Sequence, residues 1–476
     1  MKLSLFIRLS LVLLCACGYA SHAAELQGEI DRILCEAAAD VHVGVEVVSM
    51  TTGKRVYERN AHHLFVPASC LKMMTGAAAL HILGPDHRFE TKILTDGRVA
   101  SKSIKGNLYL QGGADPELAV CDLEELISYL RARNIEKIEG NLYVDHTFFD
   151  EVSQGPGWMW DEGDERWNAP MSGLMLNHSC IDVWVKPSEQ QGQAPCVSLC
   201  PATSYVTLQN RAVTDAQADN LCVQRRWMRR ENVIEVTGQI SSAEEPLHFT
   251  LSVEDPHLYA GYVFRDMLLK AGIVVRGKIG VKVVPPGAAA VVLGAHASRP
   301  LSLLVEEMMK SSDNLYADCL FKAMGARQFG VPGTWQKGAQ AVREFLRTVV
   351  DVDKMVVLDG SGLSRYNLIS AHQCATFLSW VHTHFGCKGE FLSALPIAGR
   401  DGTLIHRMEQ VEGKVRAKTG TMTGISSLAG YITTDGGEVL AFCILQSGFT
   451  EKASVYKAAV EDAICTLLVR GAFSGI

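Results

Sequence analysis

Ser69 and Lys72 stand three residues apart at the head of an apolar run, Ser69-Cys-Leu-Lys72-Met-Met-Thr-Gly-Ala-Ala-Ala-Leu-His-Ile-Leu83, which stops at Gly84-Pro85. The run is rich in Ala and Leu and has no internal Pro, so it predicts a helix that begins at Ser69. Residues at i and i+3 share a helix face, which lets the hydroxyl meet the amine. A serine hydroxyl attacks a carbonyl when a base takes its proton. A lysine serves as that base when burial or a second cation keeps it neutral part of the time. At a helix start, a developing oxyanion also meets backbone N–H groups and the positive end of the dipole. A Ser-x-x-Lys spacing arises by chance about once in a chain of this size, and an N-cap beside a solvated lysine has the same pattern.

Two later stretches add to the pair. Lys310-Ser-Ser312-Asp-Asn314 supplies a second hydroxyl with an amide two positions on, and Ala417-Lys418-Thr419-Gly420-Thr421 supplies a cation, two hydroxyls and a glycine. The elements that must position them follow from periodicity. A helix is expected over Glu25–Ala39, with strands over Val43–Met50 and Arg55–Glu58 about a Thr51-Thr-Gly-Lys54 turn. Helices are expected over Leu301–Met324, with Ser312 and Asn314 near the middle, and over Thr334–Val349, Ala371–Thr383 and Ala453–Val469. Lys414–Lys418, Ser427–Thr434 and Glu438–Ser447 read as adjacent strands joined by tight turns such as Asp435-Gly-Gly437. Between Phe89 and Pro286 the pattern turns to short strands and Gly/Pro turns, with helices at Asp122–Arg133 and His257–Ala271. The fold expected is α/β (α+β). One domain, 25–88 with 287–476, carries an antiparallel sheet flanked by helices, and it is split by a β-rich insertion over 89–286.

The 476 residues are 47% apolar and 20% charged, ordinary for a globular chain with a large core. Forty-five Lys and Arg against 52 Asp and Glu leave a net charge of −7, which argues against nucleic acid as a partner. Residues 1–24 join a basic start, Lys2 and Arg8, to a short apolar core over 9–20, the pattern of an export signal, so a periplasmic location is expected. Two processing routes fit: cleavage near Ser21-His-Ala-Ala24, or a lipoprotein box, Leu14-Cys-Ala-Cys17, with lipid on Cys17 as a membrane anchor. Of the 14 cysteines, Cys180, Cys196, Cys200 and Cys222 crowd one region and are candidates for disulfides. Zinc at those four lacks close Cys-x-x-Cys pairs, and neither a metal nor an organic cofactor is implied. Arg225-Arg-Trp-Met-Arg-Arg230 reads as a solvated strand or loop, with contact to an anionic envelope polymer as the other reading.

The three motifs occur in the order found in penicillin-binding proteins and serine β-lactamases. With Leu108-Tyr-Leu-Gln-Gly-Gly-Ala-Asp-Pro-Glu-Leu118, Asn168-Ala-Pro170, Asp359-Gly-Ser-Gly-Leu-Ser-Arg-Tyr-Asn367, Leu395-Pro-Ile-Ala-Gly-Arg-Asp-Gly-Thr403 and Ser426-Ser-Leu-Ala-Gly-Tyr431, the chain resembles the low-molecular-mass class C penicillin-binding proteins, the D-alanyl-D-alanine carboxypeptidase/endopeptidase family, over nearly its whole mature length. The resemblance implies a transpeptidase/β-lactamase-like catalytic domain interrupted by two smaller domains. It also implies hydrolysis of peptide bonds in peptidoglycan stem peptides and inhibition by β-lactam antibiotics.

On that reading Ser69 is the nucleophile, Lys72 its base, and Ser312 relays the proton to the departing amine. Asn314 bonds a substrate amide and helps hold Lys72. Lys418 and Thr419, on a strand edge, take the substrate's terminal carboxylate, Gly420 admits close approach, and the N–H groups of Thr421 and Ser69 form an oxyanion hole. Residues matching Asp145 and Arg365 help build a side pocket for a diamino acid, although either also reads as an ordinary surface charge. Thr423 stands where relatives carry glutamine, and Cys70 where they carry a small hydroxyl residue. Cys70 reads as a buried packing thiol. The other function classes are a β-lactamase or esterase with the same Ser/Lys pair, and a non-catalytic peptidoglycan-binding scaffold.

Overall fold

The computed structural model describes residues 25–216 and 220–471. The expected export segment, with Cys15 and Cys17, lies outside the described residues. The chain divides into two compact units, one of residues 25–85, 301–313 and 339–471, the other of 86–216, 220–300 and 314–338.

The first unit is built on a five-stranded antiparallel sheet in the spatial order Arg55–Arg59, His42–Ser49, Val439–Ser447, Ile425–Thr433, Val415–Met422. Alternation sends Val43, Val45 and Val47 to one face, where they pack with Leu26, Ile30 and Leu34 of the helix over 25–37 and with Ile464 and Leu468 of Ala463–Arg470. The other face lies under the helix Ala371–His384, where His372 Nδ1 sits 3.0 Å from Glu46 Oε2 on the strand. With helices on both faces the central strands are apolar nearly throughout. The helix Leu71–Ile82 buries ten of its 12 residues, Lys72 among them. Gly76 lets it approach the helix Leu301–Ser311, because a side chain there would press on Met308, Met309 and Val305.

Two of the expected elements that carry site residues have different bounds. The single helix over Leu301–Met324 is two, Leu301–Ser311 and Asn314–Phe329, broken where Ser312 adopts a left-handed φ of 63°. Apolar periodicity continues through the break, so the pattern alone does not reveal it. The strand expected to end at Lys418 runs on to Met422 and turns back at Thr423-Gly424, where Gly424 has φ 71°.

The second unit is rich in short strands. One five-stranded sheet runs Ile279–Val281, Leu142–Asp145, Leu108–Gln111, Glu90–Thr95, Val291–Ala297, and a three-stranded antiparallel sheet runs Cys196–Cys200, Cys180–Lys186, Leu247–Ser252. Leu123, Leu126 and Leu130 of Val120–Ala132 and Tyr259, Val263 and Phe264 of Pro256–Lys270 share its apolar core. The expected disulfides are not formed among these four: Cys196, Cys200 and Cys222 are free thiols, and Cys180 Sγ donates to the His178 carbonyl at 3.2 Å. Strand register explains this, since Cys200 faces Asp182, Cys196 faces Lys186 and Cys222 faces Thr237.

Asp115, in the Gly-Gly-Ala-Asp-Pro stretch, is 2% exposed, and burial lifts its carboxyl to about 7 although the Glu117 N–H and His296 favour the charged form. The folded chain therefore keeps a proton on Asp115 at pH values where the unfolded chain has released it. Its contribution to stability is fullest below the unfolded value of 3.8 and declines as pH rises to about 7. Asp115→Asn, neutral at every pH, is expected to raise the melting temperature more at about pH 8 than at about pH 5. Thermal unfolding followed by circular dichroism checks this, and equal shifts at the two pH values contradict it.

Candidate active site

Ser69 lies in a single 3₁₀ turn, Ala68–Cys70, that leads into the helix Leu71–Ile82. Ala68, just before it, is held at φ 45°, a left-handed conformation that costs about 1–2 kcal/mol in a residue with a Cβ. The turn leaves Ser69 half-buried while Lys72, one turn on, is fully buried. Lys72 Nζ donates to Ser69 Oγ at 2.8 Å and to the carbonyl of Ser361 at 2.9 Å. In its neutral form the same nitrogen can accept the hydroxyl proton.

The Ser361 carbonyl belongs to the Asp359–Asn367 stretch, in which the sequence reading gave a chemical role to Arg365 alone. The buried Asp359 carboxylate accepts from Gly362 N at 2.9 Å, Ser364 N at 2.6 Å and Asn367 Nδ2 at 2.7 Å. Thr75 Oγ1, one turn beyond Lys72, donates to Gly360 O at 2.7 Å. The turn thus holds two carbonyls against one face of the helix. Gly362, at φ 83°, lies directly on the nucleophile's turn, and a Cβ there would run into Ala68 O. An Asp beside two glycines was the available signal, and it reads as an ordinary loop. Gly362→Ala is expected to destabilise the fold by about 2 kcal/mol or more and to slow acylation of Ser69 at least about tenfold. Urea unfolding and the rate of penicillin labelling check this, and unchanged values contradict it.

Ser312 and Lys418 form a second hydroxyl–amine pair. Lys418 Nζ donates to Ser312 Oγ at 2.8 Å and to Thr419 O at 2.8 Å. Lys418 is fully buried; burial first, and the charge of Lys72 second, push its amine well below the usual lysine range. The strand also meets the nucleophile directly. A side chain at Gly420 would press on Ser427 Oγ and stand 2.9 Å from Ser69 N, and Cys70 Sγ lies 3.1 Å from Lys418 O. Burial pushes the Cys70 thiol up to about 12, which makes it an inert packing group.

Val415–Met422 is an edge strand. Its outer side is capped early by Pro396 and Ala398, through Ala417 N to Pro396 O at 3.0 Å and Ala398 N to Val415 O at 2.9 Å. The two-residue period puts the backbones of Thr419 and Thr421 on that same outer edge. Thr419 Oγ1 donates to Thr403 Oγ1 at 2.8 Å.

The other expected residues are placed as follows. Arg365, in the first unit, donates to the Thr423 carbonyl at 3.3 Å, so it is the backbone of the departing residue, not its side chain, that it engages. Asn314 opens its helix in the second unit and donates to Trp167 O at 2.8 Å. Asp145, also in the second unit, lines a cavity of about 380 Å³ with Gln111 and Phe148. Burial alone would raise the Asp145 carboxyl, but the N–H of Val284 and the hydroxyl and N–H of Thr147, with Gln111, outweigh it and hold the group below its usual range. With four donors on its oxygens, the Asp145 carboxylate has its acceptor sites filled.

Two Ser–Lys pairs on one unit, beside an open strand edge, are the groups a serine acyl-transfer enzyme needs. The pattern of the D-Ala-D-Ala carboxypeptidase 3 (S13) family matches residues 26–468. The chain belongs to that family. It is a serine-type D-Ala-D-Ala carboxypeptidase in class. The D-alanyl-D-alanine carboxypeptidase of Actinomadura sp. (strain R39) is 35% identical over 468 residues, which cover 93% of this chain and 84% of the relative. Among solved structures, penicillin binding protein 4 (dacB) from Haemophilus influenzae is similar with a TM-score of 0.82 at 26% identity, over 92% of this chain and 98% of that one. The same protein complexed with a β-lactam is similar with a TM-score of 0.76 at 25% identity, over 93% and 99%. The S13 assignment and these likenesses agree with the α/β catalytic fold and the class C resemblance read from the motifs.

Proposed function

We propose that this protein trims terminal D-alanine from peptidoglycan stem peptides and opens D,D-cross-links by the same chemistry, through an acyl-enzyme on Ser69. The observation that carries the reading is the 2.8 Å contact of Lys72 Nζ with Ser69 Oγ inside a buried slot. Neutral Lys72 takes the hydroxyl proton as Ser69 Oγ attacks the carbonyl of the penultimate D-alanine. The tetrahedral oxyanion rests on the N–H groups of Ser69 and Thr421. The C–N bond then breaks, the proton passes from Lys72 through Ser312 to the leaving amine, and water later hydrolyses the ester and restores the Ser69 hydroxyl. The substrate lies along the Thr419–Thr421 edge as an added strand, its carboxylate toward Lys418 and Thr419. Gly420 keeps that edge close to Ser69. The negative charge of Asp145 suits the amine of a diamino-acid side chain, and the positive charge of Arg365 suits its carboxylate.

A β-lactam places its strained amide on the same nucleophile, which supports penicillin as an inhibitor. Residues 1–24 support export to the periplasm, and membrane attachment would come through lipid on Cys17.

Mass analysis of the products from a stem pentapeptide and from a cross-linked dimeric muropeptide tests the proposal. Release of D-alanine from the first, and of two monomers from the second, is expected. Rapid penicillin turnover with neither product would make the protein a β-lactamase, and a folded protein with no activity at all would make it a binding scaffold.

A further inference from the structure

The second unit holds a cavity of about 620 Å³ to which the peptidase chemistry assigns no role, and every residue that lines it belongs to that unit. Its size is that of a site for a drug-sized ligand or a short oligomer. Trp160, 73% exposed, and the half-buried Trp227 line it with ring centroids 6.1 Å apart and planes 41° from each other. An exposed indole face such as that of Trp160 is costly in water and suits a ligand with flat apolar faces.

The polar lining of the cavity is unusual in two ways. Asn168 and Arg225 belong to it although they are only 3% and 4% exposed, and Asn168 Oδ1 and Arg225 Nε, themselves enclosed, have no hydrogen-bond partner among the described residues. With Ser153, Gln154 and Ser252 the lining holds groups that both give and take hydrogen bonds. The charges cancel: Arg225 and Arg230 stand against Glu151 and Glu254, and Glu254 pairs with Arg225 at 3.2 Å and with Arg230 at 3.3 Å. The Arg225–Arg230 stretch is therefore not a bare cationic patch for an anionic polymer, because its first and last arginines are tied to Glu254 and Arg226 pairs with Glu235 at 2.8 Å.

We infer that this cavity, lined by Trp160 and Trp227 together with Asn168 and Arg225, binds the uncharged glycan of the cell-wall polymer. A pyranose ring has an apolar C–H face that stacks on indole and a rim of hydroxyl and acetamido groups that both donate and accept, which is what the lining offers. The choice of polymer rests on the peptidoglycan reading given above; the chemistry of the cavity stands apart from it. The second unit would then hold the glycan strand while the first unit works on its peptides.

The test uses the full chain and the β-1,4-linked tetramer of N-acetylglucosamine, which carries no peptide, followed by titration calorimetry and tryptophan fluorescence. The wild type is expected to bind the tetramer with a Kd of about 1 mM or tighter, and Trp160→Ala and Trp227→Ala each to weaken it at least about tenfold. Both variants are expected to label with fluorescent penicillin as fast as the wild type, which also shows that they are folded. No binding by a wild type that labels normally would overturn the inference and leave the peptidase reading intact. Binding that both Trp variants retain would overturn it, as would displacement of the tetramer by a sugar-free stem peptide. Loss of penicillin labelling in the wild type would instead strike the peptidase reading, with the tetramer titration still deciding the glycan site.

Discussion

Ser69→Ala is expected to lower kcat/KM for release of D-alanine from a stem pentapeptide by about 10⁴-fold or more, with little change in melting temperature. The hydroxyl contributes one hydrogen bond, with Lys72 Nζ, and it is half-buried, so its removal costs the fold little. Its removal costs the reaction nearly everything, because no acyl-enzyme forms without it. Cys70 cannot stand in, since its thiol is fully buried and burial keeps it protonated. Steady-state hydrolysis beside a thermal melt checks the prediction, and a variant that keeps more than about a tenth of the activity contradicts it.

Lys72→Met is expected to lower acylation by penicillin about 10³-fold. Methionine fills the buried slot with a chain of similar length, so the loss reports chemistry rather than a cavity. The slot is fully enclosed, and an amine there already meets the Ser361 carbonyl, so lysine is held on one rotamer facing Ser69. Because the two residues act as a unit, Ser69→Ala with Lys72→Met should be no slower than Ser69→Ala alone. Stopped-flow labelling of the single variant and hydrolysis by the double variant check both statements. Additive losses would mean that Lys72 acts on something other than the Ser69 proton.

Much of the catalytic unit is legible from the chain. The helix after Ser69, the five strands and the helix over Ala371–His384 follow from apolar period and turn residues, which are local signals. Ser69 and Lys72 meet because three residues separate them on one helical turn. The Ser312–Lys418 contact joins residues 106 apart, so no spacing rule reaches it; the order of motifs does. The break at Ser312 was hidden because a left-handed residue between two apolar helices leaves the pattern of periodic residues unchanged. The Asp359–Asn367 stretch is legible as a family motif, but its part in holding Lys72 was hidden for another reason. What it gives the site is a backbone carbonyl and a missing Cβ, and neither has a side-chain signature. The free cysteines were misjudged because composition counts thiols while pairing depends on strand register.

The most direct measurement is the mass of the intact protein after exposure to penicillin, followed by peptide mapping of any adduct. The account predicts one penicilloyl group per chain, on the peptide that contains Ser69 and on no other. A folded protein that takes up no adduct, or carries it on a different residue, would contradict it.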